Sequence, residues 1–289
     1  MAGRGGLMTM LEQHSPVATE NAAPVTPFDD PECGYLAMPQ GMHSFSMPLP
    51  GEIPACQAGI AVVRRLAECL SAELNGIDSD RIHLDSYDEE TRRFLDQVLG
   101  DGEVSALIDA DDVRWAIRES VFIGVWRLRE FRAGGTVRDY LEVGSVPSVL
   151  RHAGTYTAGV ERPRSFPDGL MNAPSLLTEL FAKSVAFQEG QSEVINLSLL
   201  PMTENDLAYL VEVLGLAGVS ILSKGYGDCR IRLTGLPNVW WVQYFNASDQ
   251  MILNTVEITP IPQAAQATQE DFEDSLQRIE ELLAMLKES

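Results

Sequence analysis

Positive charge is scarce in this chain: 21 Lys and Arg stand against 42 Asp and Glu, a formal net charge of −21 over 289 residues. Such a field repels a phosphate backbone, so no nucleic-acid partner is expected, whereas a basic partner would be drawn in. Histidine is sparser still, at four residues. His14, His43, His83 and His152 are scattered, and none stands three or four residues from another His, a Cys or a paired carboxylate, so no zinc-type or nickel-type cluster is written locally and no metal is expected. The four cysteines, Cys33, Cys56, Cys69 and Cys229, form no C-x-x-C pair and are too few for a disulfide framework, which makes them free thiols. No run approaches the roughly 20 apolar residues of a membrane span. Arg4 is followed by Glu12, His14 and Pro16 rather than by a continuous apolar stretch, so no secretory signal and no direct membrane insertion are expected, and the chain is expected in the cytoplasm. G-x-S-x-G, a P-loop and a G-x-G-x-x-G opening a helix are all missing, and Asp109, Asp111 and Asp112 read as a solvated acidic turn. Neither a catalytic set nor a cofactor is expected, and the chain reads as a non-enzyme.

What is present is a repetition. Val125-Trp126-Arg127-Leu128-Arg129-Glu130-Phe131-Arg132-Ala133 recurs, with one gap, as Val239-Trp240-Trp241-Val242-Gln243-Tyr244-Phe245-Asn246-Ala247, and the likeness runs on to Pro147 and Pro262. Upstream, Ile82-His83-Leu84 matches Ile195-Asn196-Leu197, and Phe94 to Gly100 matches Tyr209 to Gly215. The expectation is an α+β fold built as an internal tandem duplication of a helix-plus-antiparallel-sheet unit, with flanking helices. Each unit, about 65 residues, is below the usual size of a free-standing domain, so the two should share a core.

The chain divides accordingly. Residues 1–53, rich in Pro, Gly, Ser, Met and Ala without a period, read as a flexible arm. Residues 54–150 hold an amphipathic helix over about 55–75, carried by Ile60, Val63, Leu66, Leu70 and Leu74, and then the first repeat. Residues 151–193 are a linker, loop over about 148–170, with a helix that Asn172-Ala173-Pro174 should cap. Residues 194–265 are the second repeat. Its helix opens at Thr203-Glu204-Asn205-Asp206 like a capping box, and its strands fall at 219–222, 229–233, 239–245 and 252–258. Residues 266–289 form a C-terminal amphipathic helix whose stripe of Phe272, Leu276, Ile279, Leu283 and Leu286 needs an apolar surface, either the protein's own core or a partner.

Consecutive tryptophans in a strand must face opposite ways. Trp240 matches Trp126 and should be core. Trp241, whose counterpart is Arg127, is core if the second face is covered and an exposed interface anchor if it is not. Trp241, Tyr244 and Arg127 are therefore the candidate partner-binding residues. Gly225, Tyr226, Gly227 and Cys229 form a turn motif of uncertain role; Cys229 is either an inert buried thiol or a reactive one, and Arg230 points to the opposite face.

Val194-Ile195-Asn196-Leu197 with Leu199-Leu200-Pro201, the run from Ile221 to Ile231 through Gly225-Tyr226-Gly227-Asp228-Cys229, the run Val239 to Asn246, and Ile252 to Ile258, preceded by Asn172-Ala173-Pro174, resemble the HupH/HyaF/HoxQ family of hydrogenase expression proteins over about 80–275. Lys224 and Asp228 stand where Arg and Asn are usual in that family. The resemblance implies a role in assembling a membrane-bound uptake [NiFe]-hydrogenase: a maturation chaperone for the precursor of its small, iron-sulfur subunit before twin-arginine export, acting beside a thioredoxin-like HyaE/HoxO-type co-chaperone. The alternative it carries is a metal-delivery protein assisting nickel incorporation through Cys229 and a nearby His.

Overall fold

The computed structural model describes residues 56–110, 112–155, 159–224 and 227–288, so the arm expected over 1–53 lies outside the described residues. The fold is α+β. α1 (Gln57–Leu74), β1 (Ile82–His83), α2 (Glu89–Leu99), β2 (Val104–Ala110), β3 (Val113–Glu119), β4 (Val125–Arg132), β5 (Val137–Val143) and α3 (Ser148–Arg151) make the first half. α4 (Ala173–Ala186), β6 (Glu193–Asn196), α5 (Glu204–Leu214), β7 (Val219–Lys224), β8 (Asp228–Leu233), β9 (Val239–Phe245) and β10 (Met251–Ile258) make the second, and α6 (Gln269–Glu288) closes the chain.

The ten strands of the described residues form one antiparallel sheet in the order β1-β5-β4-β3-β2-β7-β8-β9-β10-β6. Read outward from the central β2–β7 seam, both halves run through the same sequence of strands, and their registers correspond. Trp126 faces Glu119 and Glu142 where Trp240 faces Leu233 and Glu257, and Ile82 faces Leu141 where Ile195 faces Val256.

Alternation along the strands splits the side chains between two covered faces. Trp115, Ile117, Trp126 and Leu128 from one half and Ile221, Ile231, Trp240 and Val242 from the other form a single buried cluster on the inner face, closed by Leu150 of α3 and by Ala265. On the outer face α1, α2 and α6 cover the first half, and α4 and α5 cover the second. The C-terminal helix therefore docks on its own core: Phe272, Ile279 and Leu283 are buried with Leu66 and Leu70 of α1. Gly59 lets α2 approach α1, since a Cβ there would lie 2.2 Å from Phe94 Cδ1.

The helix ends follow local chemistry. Asp88 accepts the Thr91 N–H at 2.8 Å and opens α2. Thr203 Oγ1 accepts the Asp206 N–H at 3.1 Å while the Asp206 carboxylate accepts the Thr203 N–H at 3.0 Å, a reciprocal capping box. Two expectations need correction. Asn172 makes no side-chain cap on α4; its Nδ2 donates to Pro201 O at 2.7 Å, and Asp206 binds the leading N–H groups instead. The loop expected over 148–170 begins with α3 and a 3₁₀ turn at Ala153–Thr155, because Leu150 and Ala153 are needed to close the inner face.

Candidate partner-binding surface

The tryptophan pair is where reading and structure part. Trp240 is fully buried on the inner face, its Nε1 donating to Thr259 O at 3.0 Å, as Trp126 donates to Gly144 O at 2.8 Å. Trp241 is 1% exposed, packed beneath Leu176, Leu177 and Leu180 of α4 and Leu210 and Leu214 of α5, with its Nε1 donating to Asn254 Oδ1 at 2.6 Å. The second face is covered, so Trp241 is a core residue and not an exposed anchor.

Arg127, in the register position that Trp241 holds in the other half, is also tied into the fold. Its Nε and Nη2 donate to Asp139 at 3.0 and 2.6 Å, and its Nη1 pairs with Asp96 of α2. This fork fixes α2 to β4 and β5 where apolar packing does that work in the second half. Arg127 lines a cleft of about 520 Å³ together with Asp96, Asp101, Arg118, Glu119 and Arg129.

Glu119, 3% exposed at the cleft's end, accepts the Gly124 N–H at 3.0 Å. Burial pushes its carboxyl up from 4.5 to about 7; the Gly124 N–H opposes this, and the Asp271 and Glu103 carboxylates reinforce it. Between pH 4.5 and 7 the folded protein therefore holds a proton that the unfolded chain has released, and Glu119 subtracts stability as pH rises through that window. Glu119→Gln should match the wild type near pH 4 and exceed it by about 3 kcal/mol at pH 8, measured by urea unfolding at both values.

Tyr244 is half-buried on the inner face beside Cys229, and burial raises its phenol. The Cys229 thiol is pushed up to about 12, chiefly by burial, with the Glu257 carboxylate adding to the shift against a lowering hydrogen bond to Tyr244. A buried thiol held protonated in this way is not an activated nucleophile. Calorimetry with Ni²⁺ should show no submicromolar one-to-one binding that Cys229→Ala abolishes; such binding would favour metal delivery over the chaperone reading. Gly225 and Tyr226 lie outside the described residues. Gly227 sits where a Cβ would meet Phe245 O at 2.2 Å, so it serves close approach in the β8–β9 pair. Arg230 is on the outer face as expected, 4.0 Å over the Phe245 ring and bound to Asp249. Among the described residues no three His, Cys, Asp or Glu group as metal ligands, and no helix is long and apolar enough to cross a membrane.

The surface that local reading did not find is the sheet edge formed by β6 and β10. Here Val194, Leu199 (80% exposed), Leu200, Met251 and Ile252 (64%) stand in solvent. The chain continues from β6 alongside β10 through a 3₁₀ turn at Leu197–Leu199, held where Ser198 Oγ accepts the Asn254 N–H at 2.9 Å. Leu199-Leu200-Pro201 was the available signal: a proline cannot donate to a sheet ladder, so it marks a strand end or edge beside the two leucines.

The HupH hydrogenase expression protein C-terminal conserved region matches residues 57–158 and 170–286. The chain belongs to this family. It is 42% identical over 275 residues to the hydrogenase expression/formation protein HoxQ of Cupriavidus necator, covering 93% of this chain and 96% of that one. With HupH of Rhodobacter capsulatus it shares 39% identity over 270 residues, 90% and 94% of the two chains. A solved structure, the hydrogenase expression protein HupH from Thiobacillus denitrificans, is 27% identical and covers 39% of this chain and 95% of its own, with a TM-score of 0.37.

Proposed function

We propose that the protein acts in hydrogenase maturation as a non-enzymatic chaperone, holding the small, iron-sulfur subunit precursor of a membrane-bound uptake [NiFe]-hydrogenase in the cytoplasm before twin-arginine export, beside a thioredoxin-like HyaE/HoxO-type partner. Relatives named hydrogenase expression/formation proteins along nearly their whole length support the process. The observation that carries the chaperone reading is the exposed apolar edge of β6 and β10 on a protein of net charge −21. Isolated exposed leucines are ordinary, but five large apolar side chains along one sheet edge offer an unfolded or precursor segment a strand to pair with and apolar surface to cover. The acidic field adds attraction for a basic segment, which acts on the association rate and weakens with salt.

The test is affinity capture from hydrogenase-expressing cells with the hydrogenase subunits identified. The precursor form of the small subunit should co-purify, several-fold less at 0.5 M than at about 0.05 M salt. Capture of the large subunit alone, or of mature small subunit alone, would overturn the assignment.

A further inference from the structure

The two halves differ in how they treat one buried carboxylate. In the first half Glu142 stands on β5 opposite Trp126, and both of its oxygens are bound. Arg81 donates from Nε to Glu142 Oε2 at 2.7 Å, and the Ser148 N–H reaches Oε1 at 2.5 Å. The guanidinium lies 5.4 Å from the Trp115 ring centre and 5.5 Å from that of Tyr140, and its Nη2 donates to Ser148 Oγ at 2.6 Å. A carboxylate taken out of water is thus neutralised by a stacked arginine from the residue just before β1.

In the second half Glu257 stands on β10 opposite Trp240, 9% exposed, on the same inner face. The position that Arg81 occupies is held here by Val194: Ile82 pairs with Leu141 and Ile195 with Val256, so the residue before each Ile borders the equivalent carboxylate, and Val194 pairs directly with Glu257. Val194 has no charge to offer and is 59% exposed. The hydrogen-bond partner of Glu257 is the Thr255 hydroxyl at 3.3 Å, and among the described residues it makes no ion pair. Cys229 and Tyr244, which its charge reaches, carry no positive charge.

We propose that Glu257 receives an arginine or lysine side chain from a partner segment lying along the exposed β6–β10 edge, so that the partner supplies the cation that Arg81 supplies within the first half. Val194 pairs with Glu257, and Ile252 lies five positions back along the same strand, about 17 Å away at roughly 3.3 Å per residue, within reach of one extended segment. The occupant is therefore an extended apolar segment bearing a cation, spaced so that the charge reaches Glu257 while its apolar side chains cover Leu199 and Ile252. A second copy of this chain would bring another −21 to the contact, which charge complementarity disfavours.

The identity of the partner rests on the chaperone reading, and the experiment separates the two. Purified wild type, Glu257→Gln, Val194→Arg and Val194→Gln proteins are melted and titrated with the hydrogenase small-subunit precursor. Glu257→Gln should melt at or above the wild type and bind the precursor at least tenfold more weakly. Val194→Arg should fill the slot from within, melting above Val194→Gln and losing capture; adding Glu257→Gln to Val194→Arg should erase that gain in melting temperature. Precursor binding by Glu257→Gln equal to wild type overturns the proposal. If the wild type binds no precursor, the chaperone reading falls; the slot then stands only if Val194→Arg melts above Val194→Gln in a Glu257-dependent way, and equal melts remove it.

Discussion

Trp241→Ala should unfold the protein about as readily as Trp240→Ala. Each indole is at most 1% exposed, and each donates its N–H to a buried acceptor, Asn254 Oδ1 for Trp241 and Thr259 O for Trp240. Truncating a buried tryptophan costs about 3–5 kcal/mol through lost burial and the cavity left behind. For Trp241 the loss also strips Asn254 Oδ1 of its shorter donor, leaving the Gln243 Nε2 contact at 3.4 Å. A drop of roughly 10 °C or more in the melting temperature is expected for either substitution. The measurement is a thermal melt of both variants with the wild type, followed by near-UV dichroism below the transition. A Trp241→Ala protein that melts within about 2 °C of the wild type would mean that α4 and α5 do not cover that face in solution.

What separated the legible from the illegible was the range over which each feature is decided. Strand positions in the second half, the stripe of α6 and the cap at Thr203 depend on residues within a few positions, and they are found close to where the spacing puts them. The fate of Trp241 depends on Leu176, Leu177 and Leu180, more than sixty positions earlier in a helix that the linear reading placed in a linker. Strand alternation shows that two adjacent tryptophans face opposite ways, but it carries no information on what lies above each face. Arg127 misled for the same reason, since a polar residue replacing an aromatic looks like a surface change, and its partner Asp96 lies on α2, 31 residues away. The β6–β10 edge was hidden differently: Leu199 and Ile252 are apolar and sit in strand-like runs, and only the strand order, with β6 outermost, leaves them in water. Glu257 was partly legible. Matching Ile82 to Ile195 already sets Arg81 against Val194, but that substitution acquires meaning only when the register shows a buried carboxylate beside it.

Asp206→Ala should be among the most damaging single substitutions outside the apolar core, because one carboxylate joins three segments of the second half. Its Oδ1 accepts the N–H groups of Met171, Asn172 and Ala173 at 2.9, 3.2 and 3.0 Å, and its Oδ2 accepts the Thr203 N–H at 3.0 Å and the Thr203 hydroxyl at 2.7 Å. Burial alone would raise its pKa, but the N–H groups of Thr203, Ala173 and Met171 and the Thr203 hydroxyl outweigh burial and hold it at about 2. The substitution removes half of the capping box of α5, a loss of about 1 kcal/mol, and leaves the buried Ala173 N–H and the part-buried Met171 and Asn172 N–H groups at the start of α4 without their acceptor, the buried one costing about 1–3 kcal/mol and the others less. A total near 4 kcal/mol or more is expected, with Asp206→Asn in between, since its amide keeps one acceptor oxygen but turns an NH₂ toward the remaining donors. The sign of the pH dependence gives an independent check. A folded-state pKa below the ordinary 3.8 means that the stabilisation is fully present above pH 4 and is lost as pH falls through about 2. Wild-type stability should thus fall over that range relative to Asp206→Ala. Because α4 and α5 together cover Trp241, Asp206→Ala should also let its indole fluorescence shift to the red before global unfolding. Equal stability of Asp206→Ala and wild type at pH 7, within about 1 kcal/mol, would show that water replaces the carboxylate at the five donors and that the junction of α4 with α5 is held by apolar packing alone.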